Sequence, residues 1–245
     1  MPDIFVPIEE LTFSEKLVNG RYRVKVPSFM DVHEWWGDWE KTRFLSMDEN
    51  LKPGMVLLDI GAFDGWQSAI LARFVGGGQN MILVEPVAEN WPNIKATWEA
   101  NGIEPPRATY MGFVGPIGEK ETLLPNVNIG EWPEGPDYSK AIAVTKFKHI
   151  DEHSEITACL PLDTFDRMPN AINIDVEGAE LLVLQSGERM LKEGSPLIWL
   201  SVHPEFMHQR YGHDPKQIAA FLRPLGYRPD FLGTDHEDHY FWRKF

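Results

Sequence analysis

Asp59-Ile-Gly-Ala-Phe-Asp-Gly65, preceded by the apolar run Met55-Val-Leu-Leu58, is the stretch that decides the fold. The run reads as a buried strand that stops at a carboxylate, followed by a glycine-bearing loop and a helix from about Ser68 to Val75. In an α/β sheet that order opens a crevice beyond the carboxyl ends of the strands, where nucleotide-like ligands bind. A second apolar run, Met81-Ile-Leu-Val84, ends in Glu85-Pro86. An acid there can accept hydrogen bonds from both hydroxyls of a ribose. Two carboxylates at the tips of neighbouring strands favour a ribose-bearing ligand with positive charge.

Outward from this point, strand and helix patterns alternate, which argues a mostly parallel sheet. Strands are expected at Met55–Ile60, Met81–Val84, Ala108–Gly112, Ala171–Asp175 and Leu197–Val202. Trp91, Ile94 and Trp98 mark one face of a helix, and Leu181, Leu184 and Leu191 mark another. Asp214 or Pro215 starts a helix to about Leu225, with Gly226 as its stop. Tyr227–Leu232 and Asp238–Arg243 then read as an antiparallel hairpin, an addition to a parallel sheet that is uncommon in dinucleotide dehydrogenases.

Residues 1–50 read as an N-terminal appendage ahead of a main domain at 51–245. Arg21–Val26 alternates as an edge strand would, and Asp31 to about Met47 predicts a helix rich in Trp, capped by Ser28 or Asp31. That helix either packs on the sheet or serves as a lid with Trp39-Glu40 facing the crevice. Residues 113–160 break the pattern. Pro125 to Lys140 has no clear period, and a connection this long is expected to be a substrate-facing insertion, bracketed by strands near Glu121–Leu124 and Ala141–Phe147. Its Trp132 and Tyr138, with Trp35, Trp36 and Trp39, are stacking faces for an acceptor or simply packing.

The 245 residues are 43% apolar, enough for a full core. Lys and Arg number 23 against 37 Asp and Glu, a net charge of −14, which disfavours a nucleic-acid or anionic-membrane partner. The lone Cys159 suits a reducing compartment, and no signal peptide or long apolar span is evident, so a cytoplasmic location is expected.

The loop differs from a dinucleotide fingerprint. Its spacing is Gly61-x-x-x-Gly65 with Phe63 in the middle, and no Gly-Lys-Ser/Thr follows. A diphosphate is therefore a poor guest. A smaller amino-acid carboxylate would sit against the loop amides and the first turn of the next helix. Asp59 would hold an ammonium group and Glu85 a ribose, which together describe S-adenosylmethionine. Further on, Ala171-Ile-Asn-Ile174 ends in Asp175-Val-Glu177-Gly-Ala-Glu180. Asp175 is expected to point into the same crevice, whereas Glu177 and Glu180 also suit a helix N-terminus.

In order, Asp59–Gly65, Glu85-Pro86, Leu162-Asp-Thr164 and Ile174-Asp-Val-Glu-Gly-Ala-Glu-Leu-Leu-Val-Leu184 resemble the FkbM-type family of S-adenosylmethionine-dependent methyltransferases. The resemblance implies a class I methyltransferase fold: α/β, Rossmann-like, a seven-stranded and mostly parallel sheet with a reversed last strand and helices on both faces. It implies methyl transfer to a hydroxyl of a sugar, glycan or secondary metabolite. Asp59, Gly61, Ala62, Phe63, Gly65 and Ser68 correspond to the loop holding the methionine portion. Glu85 with Pro86 corresponds to the ribose clamp, Gly112-Phe113 to the adenine edge, and Asp175 and Glu177 to the acids at the reactive end. Two departures stand out: Phe63 where the family often has Asn, and Asn173 where it often has Lys.

A sulfonium donor is already activated, so the protein must position the acceptor and remove its proton. His203, at the tip of the fifth strand, is the expected base, with Asp175 and Glu177 as alternatives. Asp175, His203 and Glu205, with His208, His213, His236 and His239 nearby, lack a compact ligand motif, so no metal is expected. The rival readings are a donor-binding module without activity and a nicotinamide-dependent oxidoreductase.

Overall fold

The computed structural model describes residues 4–32, 34–116, 126–129, 131–143, 159–165 and 169–245. The chain opens with β1 (Ile4–Pro7), then a hairpin of β2 (Phe13–Val18) and β3 (Tyr22–Pro27), then helix α1 (Lys41–Asn50). The alternating unit follows: β4 (Leu57–Ile60), α2 (Trp66–Val75), β5 (Met81–Val84), α3 (Asn90–Ala100), β6 (Ala108–Met111) and β7 (Phe113–Val114). Short strands β8 (Asn126–Ile129), β9 (Lys140–Ala143) and β10 (Cys159–Leu160) lie in the long connection. The second half runs β11 (Ala171–Ile174), α4 (Glu180–Gln185), α5 (Glu188–Glu193), β12 (Leu197–Val202), α6 (Pro204–Tyr211), α7 (Pro215–Leu222), β13 (Tyr227–Thr234) and β14 (Asp238–Lys244).

The main sheet has the order β13-β14-β12-β11-β4-β5-β6-β8. Strands β6, β5, β4, β11 and β12 are parallel, and β14 runs against β12 between it and β13. These seven form the expected mostly parallel sheet with its reversed last strand. An eighth strand, β8, pairs antiparallel with β6 and was not anticipated. Its sequence, Asn-Val-Asn-Ile, sits inside a Pro- and Gly-rich stretch with too few apolar residues to read as sheet. The expected strand at 121–124 lies outside the described residues. The one expected from Ala141 is β9, which pairs with β1 in a separate ribbon, while 144–147 lie outside the described residues.

Side-chain alternation splits the burial between two faces. Leu57, Met81, Leu83, Ala171 and Trp199 join one core with α1, α2, α3 and the β2–β3 hairpin. Leu58, Ile60, Ile82, Val84, Ile172, Ile174 and Leu200 join the other with α4, α5 and α7. Helices thus cover both faces, as expected. Asp163 of the Leu162-Asp-Thr164 motif is structural: its carboxylate accepts from the amides of Arg189 and Met190 and so caps α5.

Beyond shifts of one or two residues, three helix boundaries differ from expectation. Residues Ser28–Val32 and Trp35–Gly37 form separate 3-10 turns, and the helix begins only at Lys41, after Glu40 in the left-handed region. Pro27 and Gly37 interrupt the apolar pattern there, so Ser28 and Asp31 cap no α-helix. Leu191 belongs to α5, because the chain breaks at Ser186-Gly187 after α4. Helix α7 stops at Leu222, with Asp214 closing a capping box with Gln217 at its start.

Candidate active site

The strand order reverses at β4, which has β5 on one side and β11 on the other. The loops leaving β4 and β11 meet there. Gly61 has φ +95°, and a Cβ on it would lie 1.9 Å from the Asp175 carbonyl oxygen. The Asp175 amide donates to the Ile60 carbonyl at 3.0 Å. Only glycine permits this approach, so the acid-bearing loop of β11 is seated directly on the loop of β4. Gly65, φ +85°, similarly lets α2 pack on α3, with Ile94 Cα only 2.8 Å from its would-be Cβ.

Asp59 and Glu85 occupy the expected strand tips, and both are buried. Asp59 lies level with Asn173 across the β4–β11 pair, and Asn173 Nδ2 donates to its Oδ1 at 2.7 Å. Burial raises its pKa to about 6, against the Asn173 bond and the charge of Arg43. The Glu85 carboxylate accepts from the amides of Phe63 (2.9 Å) and Val87 (2.9 Å) and from Asn90 Nδ2 (3.1 Å). Burial nevertheless pushes it to about 7. Its Oε1 is saturated by Val87 and Asn90, while Oε2 keeps one acceptor position beside Phe63. Asp64 in the same loop is also buried, and desolvation takes it to about 7.

The loop amides are not the open cradle expected from the sequence. Gly61 and Ala62 both donate to the Val84 carbonyl, at 2.9 and 3.0 Å, and Phe63 donates to Glu85. Phe63 adopts φ +48°, which turns its amide toward that acid. What remains for an anionic group is the first turn of α2, where the Trp66 amide already donates to Asp64 Oδ1 at 3.5 Å and the amides that follow lack intrahelical acceptors. Ser68 is also turned inward: it is fully buried, donates to the Gly65 carbonyl at 2.9 Å and accepts from Trp98 Nε1 at 3.0 Å. It braces α2 against α3 and presents no group to a ligand. Pro86 is half-buried after β5, Gly112 is buried between β6 and β7, and Phe113 is half-buried in β7. Trp132 packs edge-on against Trp98, and Tyr138 donates to the Pro133 carbonyl under Lys95. Both are packing residues on α3.

At the reactive end the structure assembles a charged network larger than the sequence indicated. Arg43, on α1 and only 1% exposed, bonds Glu40 and reaches Asp175 Oδ2 at 3.4 Å and Asn173 Oδ1 at 2.5 Å. The cation missing at Asn173 is thus supplied from another element. Burial opposes its charge, but Glu40, Asp175 and Glu237 hold Arg43 well above its usual range. Asp175 is raised well above a normal carboxylate by burial and by Glu237, over the opposing charges of Arg43 and His203. Its side chain keeps 18% exposure. Glu177 takes φ +53° and stands more exposed, with Oε1 3.9 Å from His203 Nε2.

His203 does not have the environment of a base. Its Nδ1 bonds Glu180 Oε1 at 2.7 Å, and its Nε2 pairs with Glu237 Oε2 and lies 3.8 Å from Asp175 Oδ1. Burial alone would lower its pKa, but the bonds to Glu180 and Glu237 carry it to about 11. An imidazolium with both nitrogens engaged has no lone pair to offer. Arg43 and Glu237 were missed because each stands alone in the sequence, and Glu40 was named only with Trp39 as part of a lid. Glu180 carried a signal, being placed with Asp175 in one motif, but read as a helix acid. Trp39 stacks on His236 with centroids 4.4 Å apart, while Glu40 is the residue that turns inward.

A family model described as the methyltransferase FkbM domain matches residues 59–229, more than half of the 245. Among solved structures, the ribosomal protein L11 methylase from Lactobacillus delbrueckii subsp. bulgaricus is similar over 85% of this chain and 80% of that one, at 11% identity and a TM-score of 0.48. The methyltransferase FkbM from Methylobacillus flagellatus KT is similar at 16% identity and a TM-score of 0.46, over 78% of this chain and 43% of that one. TYW2 from M. jannaschii, solved in complex with AdoMet, is similar at 10% identity and 0.46, over 96% and 88%. No curated protein sequence matches the chain. Among the described residues no helix is long and apolar enough to cross a membrane. On the family match, the chain belongs to the FkbM methyltransferase domain family, whose methyl donor is S-adenosylmethionine.

Proposed function

We propose that this methyltransferase acts on a hydroxyl oxygen of a small-molecule or glycan acceptor, with Asp175 receiving the acceptor proton. The observation that carries the reading is the seating of Asp175 on Gly61 at the switch point, between the acid-tipped strand β4 and the Arg43 network. Glu85 Oε2 would take a ribose hydroxyl and the first turn of α2 the donor's carboxylate, with Asp59 buried behind them. The donor, when bound, supplies a methyl group already activated on a sulfonium. The acceptor oxygen would take that methyl group, releasing the neutral thioether, and Asp175 would receive the oxygen's proton. Arg43 faces that carboxylate from one side at 3.4 Å, and His203 Nε2 from the other at 3.8 Å. Residues 1–50 would then serve as a cover on the crevice, tied down through Arg43.

Incubation with methyl-labelled donor and a cell metabolite extract, followed by mass spectrometry, tests the acceptor class. Label on an oxygen of a hydroxylated compound supports the reading. Label found on nitrogen or carbon, or turnover of Asp175→Asn equal to that of the parent, would overturn it.

A further inference from the structure

We infer that Asn173 is a positioning residue for donor binding: held by Arg43, it orients the Asp59 carboxylate toward the ammonium group of S-adenosylmethionine. Asn173 has this role only if Asp59 is the acid that meets the amino-acid end of the donor, directly or through one water, and so rests on that reading of the donor site. Asn173 and Asp59 stand side by side at the same level of two central parallel strands, and both are buried. Alternation puts them on the sheet face covered by α1, together with Leu57, Ala171 and Trp199. In that apolar layer a carboxamide is costly unless both of its ends are bonded. Both are: Arg43 Nη2 donates to Oδ1 at 2.5 Å, and Nδ2 donates to Asp59 Oδ1 at 2.7 Å. A guanidinium only donates and an ionised carboxylate only accepts, so the order of the amide is fixed. A flipped Asn173 would set donor against donor and acceptor against acceptor.

The relay acts on Asp59 in two ways. It occupies Oδ1 and so holds the carboxylate in one orientation. With the charge of Arg43 it also opposes the burial that pushes the acid up to about 6. Among the described residues Asn173 is the only hydrogen-bond donor to Asp59. An ionised carboxylate has about four acceptor positions, so a buried one with a single bond is incomplete without a further donor or cation. The ammonium group is the cation that the amino-acid end of the methyl donor brings. Arg43 and its partner Glu40 precede the matched residues 59–229, so the anchor of the relay comes from outside the family domain. The same guanidinium reaches Asp175 Oδ2 at 3.4 Å, which links the donor-side acid to the acid at the reactive end through one side chain.

Calorimetric titration of the full chain with S-adenosylhomocysteine and with 5′-methylthioadenosine tests the assignment. The two share the nucleoside and a neutral thioether, and differ in the amino-acid arm. Asn173→Leu, close in shape to the parent side chain, should weaken S-adenosylhomocysteine by about tenfold or more and leave methylthioadenosine within about twofold. Asn173→Ala carries the same expectation and leaves room for water beside Arg43, which keeps the test alive if Asn173→Leu fails to fold. Asp59→Asn should show the same selective loss, whereas Glu85→Gln should weaken both ligands alike. Equal losses of the two ligands in the Asn173 variants, or unchanged S-adenosylhomocysteine binding in them beside a selective loss in Asp59→Asn, would overturn the relay and leave Asp59 at the ammonium group. No selective loss in Asp59→Asn would overturn the reading of Asp59 and, with it, the role of Asn173.

Discussion

Burial, more than pairing, controls the acids at the strand tips. Asp59 at about 6, Asp64 at about 7 and Glu85 at about 7 all titrate above their ordinary values because desolvation disfavours the charged form. The folded chain therefore holds extra protons between about pH 4, where the unfolded acids titrate, and about pH 7. Folding stability from these groups is present below that window and is lost as pH rises through it. Urea midpoints measured at pH 5 and pH 7.5 without donor should fall with pH, and Glu85→Gln should shrink the difference. At the reactive acid, Asp175→Asn should lower kcat by about 10²- to 10⁴-fold while leaving the donor dissociation constant nearly unchanged. Asp59, Glu85 and Asp175 were legible in the sequence because each ends an apolar run. Arg43, Glu180 and Glu237 were not, because the partners that give each its meaning sit on other elements, 132 positions away in the case of Arg43 and Asp175.

The elements that matter most are the loop after β4 and helix α1. Gly61→Ala would add a Cβ 1.9 Å from the Asp175 carbonyl at a backbone angle that side chains rarely adopt. Overpacking and conformational strain together predict a loss of about 3 kcal/mol or more, read from denaturant unfolding; a midpoint like the parent's would show that the two loops part easily. Helix α1 is tied to the acids of the site through Arg43. Arg43→Met should cost about 3–5 kcal/mol, since Glu40 would be left buried and uncompensated, and the double variant Arg43→Met with Glu40→Met should recover much of it. Parallel strands were read almost to the residue because burial on both faces makes them short apolar runs with sharp ends. Residues 31–47 were read as one helix because the Trp spacing mimics a helical face, yet Gly37 and the left-handed Glu40 divide it. Strand β8 escaped because pairing at the sheet edge needs only backbone, not an apolar pattern.

At the scale of the molecule, one sheet separates two cores and leaves a single line of strand ends along which Asp59, Glu85 and Asp175 stand. The sequence showed this organisation through the alternation of apolar runs and helical faces. It also showed the donor class, through what the glycine loop lacks. It did not show how closed the crevice is. The amides of Gly61, Ala62 and Phe63 are already bonded, and Glu85 keeps one acceptor position, so donor recognition rests on fewer groups than the motif suggests. Calorimetric titration of S-adenosylmethionine into the parent and into Glu85→Gln is the most direct test of that account. Loss of the charge-assisted bond should weaken binding by about 1.5–3 kcal/mol, roughly tenfold to 150-fold, with no heat from NAD⁺ in either protein. Equal affinity in the two proteins, or saturable NAD⁺ binding by the parent, would contradict it.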